Sequence, residues 1–548
     1  MTEARLTPEL RDRAIRWIAD DVDPAARQEL QALLAAAMNG APDAVTDLAD
    51  RMAGPLEFGT AGLRGPVRAG PNGMNTAVVV RTTAGVASWL AAHGKACGTV
   101  VVGRDARHGS EDFAAAAAEV LHATGFDVRV LPRPLPTPVL AFATKHLGAV
   151  AGIQITASHN PPADNGYKLY DDSAIQIVPP ADAEIEAAIA AAPGAFSVMR
   201  TPGATVLGED VLDEYLYRVS QVPRSSARGL RVAATALHGV GAEVLRDALA
   251  RAGFHDVHLV AEQSDPDPDF PTVSFPNPEE PGATDLLLAL AAEVGADLAV
   301  ALDPDADRCA IGVPGPAGAW RMLRGDETGV LLGDYVLSTT TNPNPLVATT
   351  IVSASMLGGI ARAHGARYAE TLTGFKWLTR AGEGLVFAYE EALGLCVNPD
   401  FVRDKDGVAA AALACDLAAK LKAEGRSLLD ELDRLAVAHG VHVTDQVSLR
   451  VTDLSVRGRV MARLRESRPA DLAGVAVSTE DLLPETDALR ISGGGVRVVI
   501  RPSGTEPKLK CYLQVVREVP DAGSLGAVRA EATATMAALR RDVEALLA

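Results

Sequence analysis

Cysteine is scarce in this chain, and its spacing excludes two common kinds of scaffold. The five cysteines among 548 residues are widely scattered and form no CxxC pair. An odd number argues against a disulfide framework, and the spacing does not fit a zinc site. We therefore expect reduced thiols, each a small core side chain, in a cytoplasmic protein.

Long apolar runs are also absent. The sequence has no stretch of about 18 apolar residues, which is the length that a membrane-spanning helix needs. The N-terminal stretch MTEARLTPELRDRAIRWIADD is charged throughout and has no apolar core. We therefore expect neither a membrane span nor a secretory signal.

Positive charge is in the minority. Lys and Arg number 51 against 70 Asp and Glu, which gives a net charge of −19. An acidic chain is a poor partner for nucleic acid or for an anionic membrane, so neither is expected. A small anionic substrate stays compatible, because a local basic pocket can lie in an acidic surface.

A repeated strand–helix–strand pattern is present instead. An apolar run, a polar loop, an Ala/Leu-rich segment, a glycine and a second apolar run follow one another at Thr99–Leu131, Arg231–Val260 and Leu346–Leu372. A continuous apolar run fits a strand buried on both faces, and this order indicates parallel strands joined by a crossover helix. We predict three similar α/β domains; one large doubly wound sheet is the alternative.

The two ends of the chain follow other patterns. The first ~50 residues have helical spacing of apolar side chains. Beyond residue 435 or so, apolar residues alternate as in half-exposed strands, and a helical segment runs from Ser524 to Ala548. The sequence thus predicts a smaller C-terminal α+β domain, with domains at 1–205, 206–318, 319–432 and 433–548.

The segment TASHNP carries a serine on a stiff loop. It leaves an apolar run and ends at two prolines, which cannot continue a strand ladder. Ser158, flanked by His159 and Asn160, could be a nucleophile or a phosphoryl carrier. Lys168 is close enough in sequence to neutralise a phosphate or to shuttle a proton. An ordinary capped turn is the alternative.

The segment DPDADR places three carboxylates at alternate positions after an apolar run. Asp303, Asp305 and Asp307 could surround a hard cation with oxygen ligands, and without a cation they would repel one another. A calcium-binding EF-hand is excluded, because Arg308 and Pro314 stand where that loop needs Gly and Glu. A nucleophilic aspartate and a solvated acidic loop are the alternatives.

Two further segments suggest sugar and phosphate binding. Glu390 and Glu391 end an apolar run in YEEALG, and paired carboxylates in a cleft can bind sugar hydroxyls; a helix N-terminus is the alternative. The segment RPSGTEP has the chemical character of a phosphate cradle but lacks P-loop spacing, and a hairpin turn is its alternative. Taken alone, PLEFGTAGLRG and GRDAR are plain surface loops.

Together and in this order, these segments resemble the motifs of the α-D-phosphohexomutase superfamily over nearly the whole chain. TASHNP is similar to its phosphoserine loop, DPDADR to its metal loop, YEEALG to its sugar-binding loop and RPSGTEP to its phosphate-binding loop. FGTAGLRG, TALHGVG and TLTGFKW resemble the type-2 phosphoglucomutase branch, which includes phosphopentomutases and bacterial enzymes labelled phosphomannomutase. The resemblance implies three similar α/β domains plus a smaller C-terminal α+β domain around a central cleft.

The resemblance also implies a role for each matched residue. Ser158 would carry the phosphoryl group and, with Asp303, Asp305 and Asp307, would bind Mg²⁺. The implied catalytic side chains are those of Ser158, Arg64, His159, Lys168 and Lys405. The implied substrate-binding residues are Arg308, Thr373, Gly374, Glu390, Arg501, Ser503, Gly504 and Thr505. Ala392 replaces a serine of many relatives, so a hydroxyl contact to the sugar is lost or is supplied elsewhere.

The implied reaction interconverts hexose 1-phosphate and hexose 6-phosphate, of glucose, mannose or both. It would proceed through a phosphoserine and a bisphosphate intermediate, with Mg²⁺ as cofactor and glucose 1,6-bisphosphate as activator. A phosphopentomutase, a metal-dependent sugar phosphatase and a non-catalytic sugar-phosphate-binding protein are the alternatives. The expected partners are small sugar phosphates, and the expected assembly is a monomer or a homodimer.

Overall fold

The computed structural model of the chain describes residues 5–57, 62–315, 318–450, 455–502 and 508–547. It divides into two compact units. The first comprises Met1–Pro223, Arg231–Cys309 and Asp400–Ala412, and the second comprises Arg224–Leu230, Ala310–Pro399 and Leu413–Ala548.

Three helices open the first unit: α1 (Pro8–Asp20), α2 (Pro24–Met38) and α3 (Pro42–Arg51). Each has proline in its first turn, where the missing N–H costs nothing. The Thr7 and Asp23 side chains cap α1 and α2 by accepting backbone N–H bonds. The helical prediction for this part of the chain is confirmed.

A six-stranded sheet follows the three helices. Its elements are β1 (Leu63–Pro66), α4 (Thr76–Ala92), β2 (Thr99–Arg104), α5 (Ser110–Ala123), β3 (Asp127–Val130), α6 (Thr137–His146), β4 (Ala151–Ile155), β5 (Asp164–Tyr170), α7 (Ala181–Ala191) and β6 (Thr205–Val206). The strand order is β1-β5-β4-β2-β3-β6. Strands β4, β2, β3 and β6 are parallel, and β5 is antiparallel to both β4 and β1.

The rest of the first unit repeats the pattern. Its elements are α8 (Asp210–Ser220), β7 (Arg231–Thr235), α9 (Ala242–Arg251), β8 (Asp256–Leu259), α10 (Asp285–Val294) and β9 (Leu298–Leu302). Strand β7 pairs in parallel with both β8 and β9. All five residues of β9 are buried, as its continuous apolar run predicts.

The second unit begins with the antiparallel pair β10 (Cys309–Pro314) and β11 (Trp320–Met322), which are not part of the third sheet. The third repeat follows, with α11 (Gly325–Thr339), β12 (Leu346–Thr350), α12 (Met356–Ala363) and β13 (Arg367–Thr371). After the repeat come α13 (Phe375–Leu378), β14 (Leu385–Glu390), β15 (Gly394–Cys396), α14 (Gly407–Ala423) and α15 (Leu428–His439). The strand order of its sheet is β13-β12-β14-β15, with β12 parallel to β13 and β14.

An antiparallel sheet ends the chain. The elements are β16 (Val441–Arg450), α16 (Ser455–Glu466), β17 (Asp471–Leu472), β18 (Val475–Ala476), β19 (Ser478–Asp481), β20 (Leu489–Gly493), β21 (Val496–Pro502), β22 (Lys508–Arg517) and α17 (Leu525–Leu547). The sheet has the order β16-β22-β21-β20-β19, and α17 packs on it through Leu539 and Val543. This is the smaller C-terminal α+β domain that the alternating pattern predicts.

The three predicted repeats are confirmed, and their strands lie in three different sheets. The alternative prediction of one large doubly wound sheet is therefore wrong. Gly125, Gly253 and Gly365 end the crossover helices with φ of 90°, 93° and 67°, the left-handed region that glycine favours. The central cleft and the four domain boundaries stay predictions.

Two predictions from composition can be compared with the structure. In the described ranges, no helix is both long and apolar enough to cross a membrane. All five cysteines are free thiols; Cys309, Cys396, Cys415 and Cys511 are buried, as predicted. The prediction of a core position is wrong for Cys97, which is exposed at a chain turn with a φ of 61°.

Candidate functional site

Ser158 lies three residues after strand β4, in a backbone conformation that few residues with a side chain adopt. Its φ is 55°, and its side chain is almost fully buried. The Thr156 hydroxyl accepts the Ser158 N–H at 2.9 Å, and the Ser158 hydroxyl donates to Asp303 Oδ2 at 2.9 Å. His159 Nδ1 is 3.1 Å from Ser158 Oγ. An ordinary capped turn does not account for this contact with a second motif.

The three aspartates of DPDADR form one buried cluster after strand β9. Asp303, Asp305 and Asp307 are each 0% exposed, and one oxygen from each lies within 4.8 Å of the others. The alternative of a solvated acidic loop is therefore wrong. In the part of the chain that the structure describes, Oδ1 of Asp305 and Oδ1 of Asp307 have no hydrogen-bond partner.

These two oxygens without a partner indicate whether the cluster could bind a metal ion. Burying a carboxylate oxygen without a partner is costly, and an oxygen-seeking divalent cation removes that cost. Lys168 on β5 partly balances the charge, since its Nζ lies 2.6 Å from Asp305 Oδ2 and 2.8 Å from Asp307 Oδ2. Lys405 Nζ lies 3.5 Å from Asp307 Oδ2. The donor set fits a hard cation such as Mg²⁺.

Burial and neighbouring charges shift the pKa values of the three aspartates apart. Burial, and then the charges of Asp305 and Asp307, raise the pKa of Asp303 well above its ordinary value. Burial acts on Asp305 and Asp307 in the same direction, but Lys168 outweighs it at Asp305, and Lys168 together with Lys405 and Arg308 outweighs it at Asp307, so the pKa values of both are lowered. Three joint negative charges are thus disfavoured here unless a cation is added.

The pKa values of the neighbouring basic side chains, His159 and Lys168, are shifted in opposite directions. Burial, followed by the charges of Arg308 and Arg64, lowers the pKa of His159 well below its ordinary value, so its imidazole is neutral at pH 7. Burial opposes the charge of Lys168, but Asp305 and Asp307 raise its pKa. Lys168 therefore suits charge stabilisation better than proton transfer. Arg64 on β1 is partly buried and donates to Asn160 Oδ1 at 3.2 Å.

The segment RDKDG brings Lys405 to the aspartates through close backbone packing. Gly407 N donates to the Ala306 carbonyl at 3.2 Å. A Cβ at Gly407 would lie 2.4 Å from the Arg308 carbonyl oxygen, so only glycine fits this approach. Lys405 thereby joins the first unit, although the sequence places it after the third repeat.

Several polar residues of this site carry no motif. Thr137, the first residue of α6, donates its hydroxyl to Asp305 Oδ2 at 2.5 Å. Tyr170 donates to Asp404 Oδ2 and Tyr215 to Asp406 Oδ1, both at 2.8 Å. Burial raises the pKa of Asp406 to about 6. The sequence offered one indication of Asp404 and Asp406, because both flank Lys405 in the segment RDKDG.

The loop GRDAR is not a surface loop. Asp105 and Arg107 are buried, at 1% and 4% exposure, and Arg107 donates to the backbone of the Ser158 loop. For PLEFGTAGLRG, Arg64 is described, whereas residues 58–61 lie outside the described ranges.

In the second unit, Glu390 and Glu391 lie at the turn of a hairpin. Glu390 ends β14 and pairs with Gly394 of β15, so the alternative of a helix N-terminus is wrong. Glu391 Oε2 accepts the Ser353 hydroxyl at 2.8 Å and the Thr350 hydroxyl at 3.2 Å. Burial, and then the charge of Asp326, raise the pKa of Glu391.

The remaining predicted residues of the second unit lie on two segments. Thr373 and Gly374 lie between β13 and α13, and Gly374 has a φ of 111°. Arg501 lies near the end of β21 and is partly buried. Ser503, Gly504 and Thr505 lie outside the described residues.

Known proteins resemble this chain along most of its length. Residues 55–194, 213–315 and 324–436 match the phosphoglucomutase/phosphomannomutase α/β/α domains I, II and III. Residues 452–540 match the C-terminal domain of the same proteins.

Individual relatives agree with these matches. A Haemophilus influenzae protein named "Probable phosphomannomutase" is 42% identical over 452 residues, covering 80% of this chain and 93% of the relative. A Mus musculus phosphopentomutase is 32% identical and covers 94% of this chain and 90% of its own. The crystal structure of a phosphoglucomutase/phosphomannomutase family protein from Burkholderia thailandensis has a TM-score of 0.68 at 20% identity, over 89% of this chain and 97% of its own. This last likeness concerns the fold.

Proposed function

Because the chain belongs to the phosphoglucomutase/phosphomannomutase family, we propose that it moves a phosphoryl group between the 1- and 6-positions of a hexose through Ser158. The family and the phosphotransferase activity predicted from the motifs are confirmed. The contact of Ser158 Oγ with Asp303, at 2.9 Å, is the observation that carries the residue assignment.

The proposed cycle has two in-line transfers. In the first, the P–Oγ bond of phospho-Ser158 breaks and a P–O bond forms to the 6-hydroxyl oxygen of a hexose 1-phosphate, while the proton of that hydroxyl replaces phosphorus on Ser158 Oγ. The bisphosphate then reorients in the site. In the second transfer its P–O1 bond breaks, a new P–Oγ bond forms, and the Ser158 proton passes to O1 of the product hexose 6-phosphate. Phosphoryl transfer depends on positioning and charge neutralisation, and the buried cluster is built from groups of that kind.

The predicted site residues around Ser158 each have a part in this proposal. Asp303, Asp305 and Asp307 would hold Mg²⁺ together with an oxygen of phospho-Ser158. When bound, the ion supplies positive charge against the oxygens of the transferring group. Lys168 stabilises negative charge in the same place. His159, whose neutral imidazole lies 3.1 Å from Ser158 Oγ, would orient that oxygen through their hydrogen bond.

The remaining predicted site residues belong to both units. Arg64 and Lys405 would serve proton transfer or charge stabilisation, and the implied substrate-binding set would hold the sugar and its second phosphate. That set is Arg308, Thr373, Gly374, Glu390, Arg501, Ser503, Gly504 and Thr505. Glucose 1,6-bisphosphate would activate the enzyme by phosphorylating Ser158. A monomer or homodimer and a cytoplasmic location stay predictions.

A coupled assay of glucose 1-phosphate conversion, with Mg²⁺ and trace glucose 1,6-bisphosphate, tests the proposal. Mannose 1-phosphate and ribose 1-phosphate are run beside it, since the mouse relative carries the name phosphopentomutase. We expect a hexose to react fastest. A faster pentose would move the assignment to phosphopentomutase, release of free phosphate would indicate a phosphatase, and no reaction would leave a sugar-phosphate-binding protein.

The two neighbouring glutamates should respond differently to loss of charge. The Ser353 and Thr350 hydroxyls hold Glu391 Oε2, and the matched family motif assigns the sugar hydroxyls to Glu390. We expect Glu390→Gln to raise the KM for the sugar phosphate about 10-fold or more, through loss of a charge-assisted hydrogen bond. Steady-state kinetics of Glu390→Gln and Glu391→Gln decide it. A larger rise in KM for Glu391→Gln would reverse the assignment.

A further inference from the structure

Arg107 holds the backbone of the loop that carries Ser158. Its Nη2 donates to the carbonyl oxygens of Ser158 at 2.7 Å and Asn160 at 2.6 Å. Its Nη1 donates to those of Pro161 at 2.8 Å and Asp164 at 3.1 Å. One planar guanidinium thus binds four carbonyl groups within seven residues of chain.

Arg107 adds to the contacts that Ser158 and Asn160 make with the Thr156, Asp303 and Arg64 side chains. A left-handed φ on a residue with a side chain costs about 1–2 kcal/mol, so the 55° of Ser158 needs surrounding bonds to persist. The two prolines at 161 and 162 have no N–H to give. Within the loop, Asn160 N donates to the Ala157 carbonyl at 3.1 Å and Asp164 N donates to the Pro161 carbonyl at 3.0 Å. Buried carbonyl groups require donors, and Arg107 supplies them.

Arg107 is itself attached to the central sheet. It lies three residues after β2, and its Nε is 3.4 Å from Asp105 Oδ2. Asp105 Oδ1 accepts the Arg107 N–H at 3.0 Å and the Ser110 hydroxyl at 2.5 Å. The ring of Phe270 lies 5.0 Å from the guanidinium carbon, within the range of a cation–π contact. The guanidinium is therefore fixed from both sides.

We propose that Arg107 is a positioning residue for the phosphoryl carrier: it fixes Ser158 in its left-handed conformation and so aims Oγ at the three aspartates. The inference rests on the proposed function of Ser158. Arg107 acts through main-chain carbonyl groups and does not need to touch the sugar phosphate. Its loss should therefore slow the phosphoryl transfer while leaving substrate affinity intact.

Lysine cannot replace this arginine. A guanidinium presents five N–H groups in one rigid plane, whereas an ammonium has three donors on a flexible stem and cannot reach four carbonyls in this arrangement. Arg107→Lys keeps the positive charge but loses the planar set of donors, so it separates the effect of hydrogen-bond geometry from the effect of charge. Arg129→Lys is the matched control, because Arg129 is a half-exposed arginine of β3 that pairs with Asp127 at 3.0 Å.

The experiment measures hydrogen exchange and kinetics in the same proteins. We expect exchange of the peptide covering residues 158–164 to be about 10-fold faster in Arg107→Lys, with β2 and β4 unchanged. We expect kcat to fall about 100-fold, as for a reacting group displaced by about 1 Å, and KM to change less than about 3-fold. Arg129→Lys should behave as wild type in both measurements.

Phe270→Leu covers the case in which Arg107→Lys fails to fold. It removes the ring and keeps the guanidinium, so a smaller change in the same direction is expected in both measurements. A folded Arg107→Lys protein with unchanged exchange at 158–164, or with wild-type kcat, would overturn the proposal. The exchange measurement needs no substrate, so it stands even if the wild-type protein converts no sugar phosphate, which would instead defeat the proposed function.

Discussion

Replacing Ser158 by alanine is expected to abolish turnover while sugar phosphates still bind. The substitution removes the oxygen that lies 2.9 Å from Asp303 Oδ2 and leaves the remaining cluster in place. No neighbouring group can take over a covalent carrier whose position is fixed by its backbone, so kcat should fall about 10⁴-fold or more. The coupled assay measures turnover, and calorimetric titration with glucose 6-phosphate measures binding.

Intact-mass measurement adds a readout that does not depend on turnover. After incubation with glucose 1,6-bisphosphate, wild type should gain one phosphoryl group and Ser158→Ala should gain none. Ser88→Ala is the matched control, because the Ser88 hydroxyl is exposed on α4 and donates to the Ala84 carbonyl. Near wild-type turnover in Ser158→Ala, or a phosphoryl group found on another residue, would remove Ser158 from the mechanism.

The fold was largely predictable because its elements carry local signals. Apolar runs mark β2, β7 and β12 as buried strands, and the glycines at 125, 253 and 365 mark the ends of their crossover helices. Such signals depend on neighbours within a few residues. The position of Cys97 was not predictable in this way, since its exposure depends on a turn that its apolar type does not indicate.

The motif residues of the site were predictable from the sequence, whereas the residues that hold them in place through hydrogen bonds were not. Ser158 and the three aspartates each belong to a recognisable segment, although 145 residues separate Ser158 from Asp303. Thr137 begins α6 and Tyr215 lies on the buried face of α8, and neither belongs to a motif; their hydroxyls acquire partners through tertiary packing alone. Arg107 belongs to a segment that looks like a surface loop until the sheet is assembled.

Removing the metal, or one of its ligands, is the second change with a large expected effect. Excess EDTA should abolish activity and added Mg²⁺ should restore it. Asp305→Asn should lower kcat about 10³-fold or more, because it removes one of the three carboxylates that would hold the ion. Asp256→Asn is the matched control, since Asp256 is exposed on β8 and pairs with Arg231 at 2.8 Å.

The charge balance of the cluster makes a separate prediction about stability. Burial and the charges of Asp305 and Asp307 raise the pKa of Asp303, so the three carboxylates carry unrelieved repulsion that Lys168 offsets only in part. Mg²⁺ should therefore raise the Tm of wild type by binding the folded state, at 100 Kd by about 2.7 kcal/mol in free energy of unfolding. Asp305→Asn should lose most of this rise while Asp256→Asn keeps it. Full activity in EDTA, together with a Tm that does not respond to Mg²⁺, would show that the aspartates serve another purpose than holding a metal.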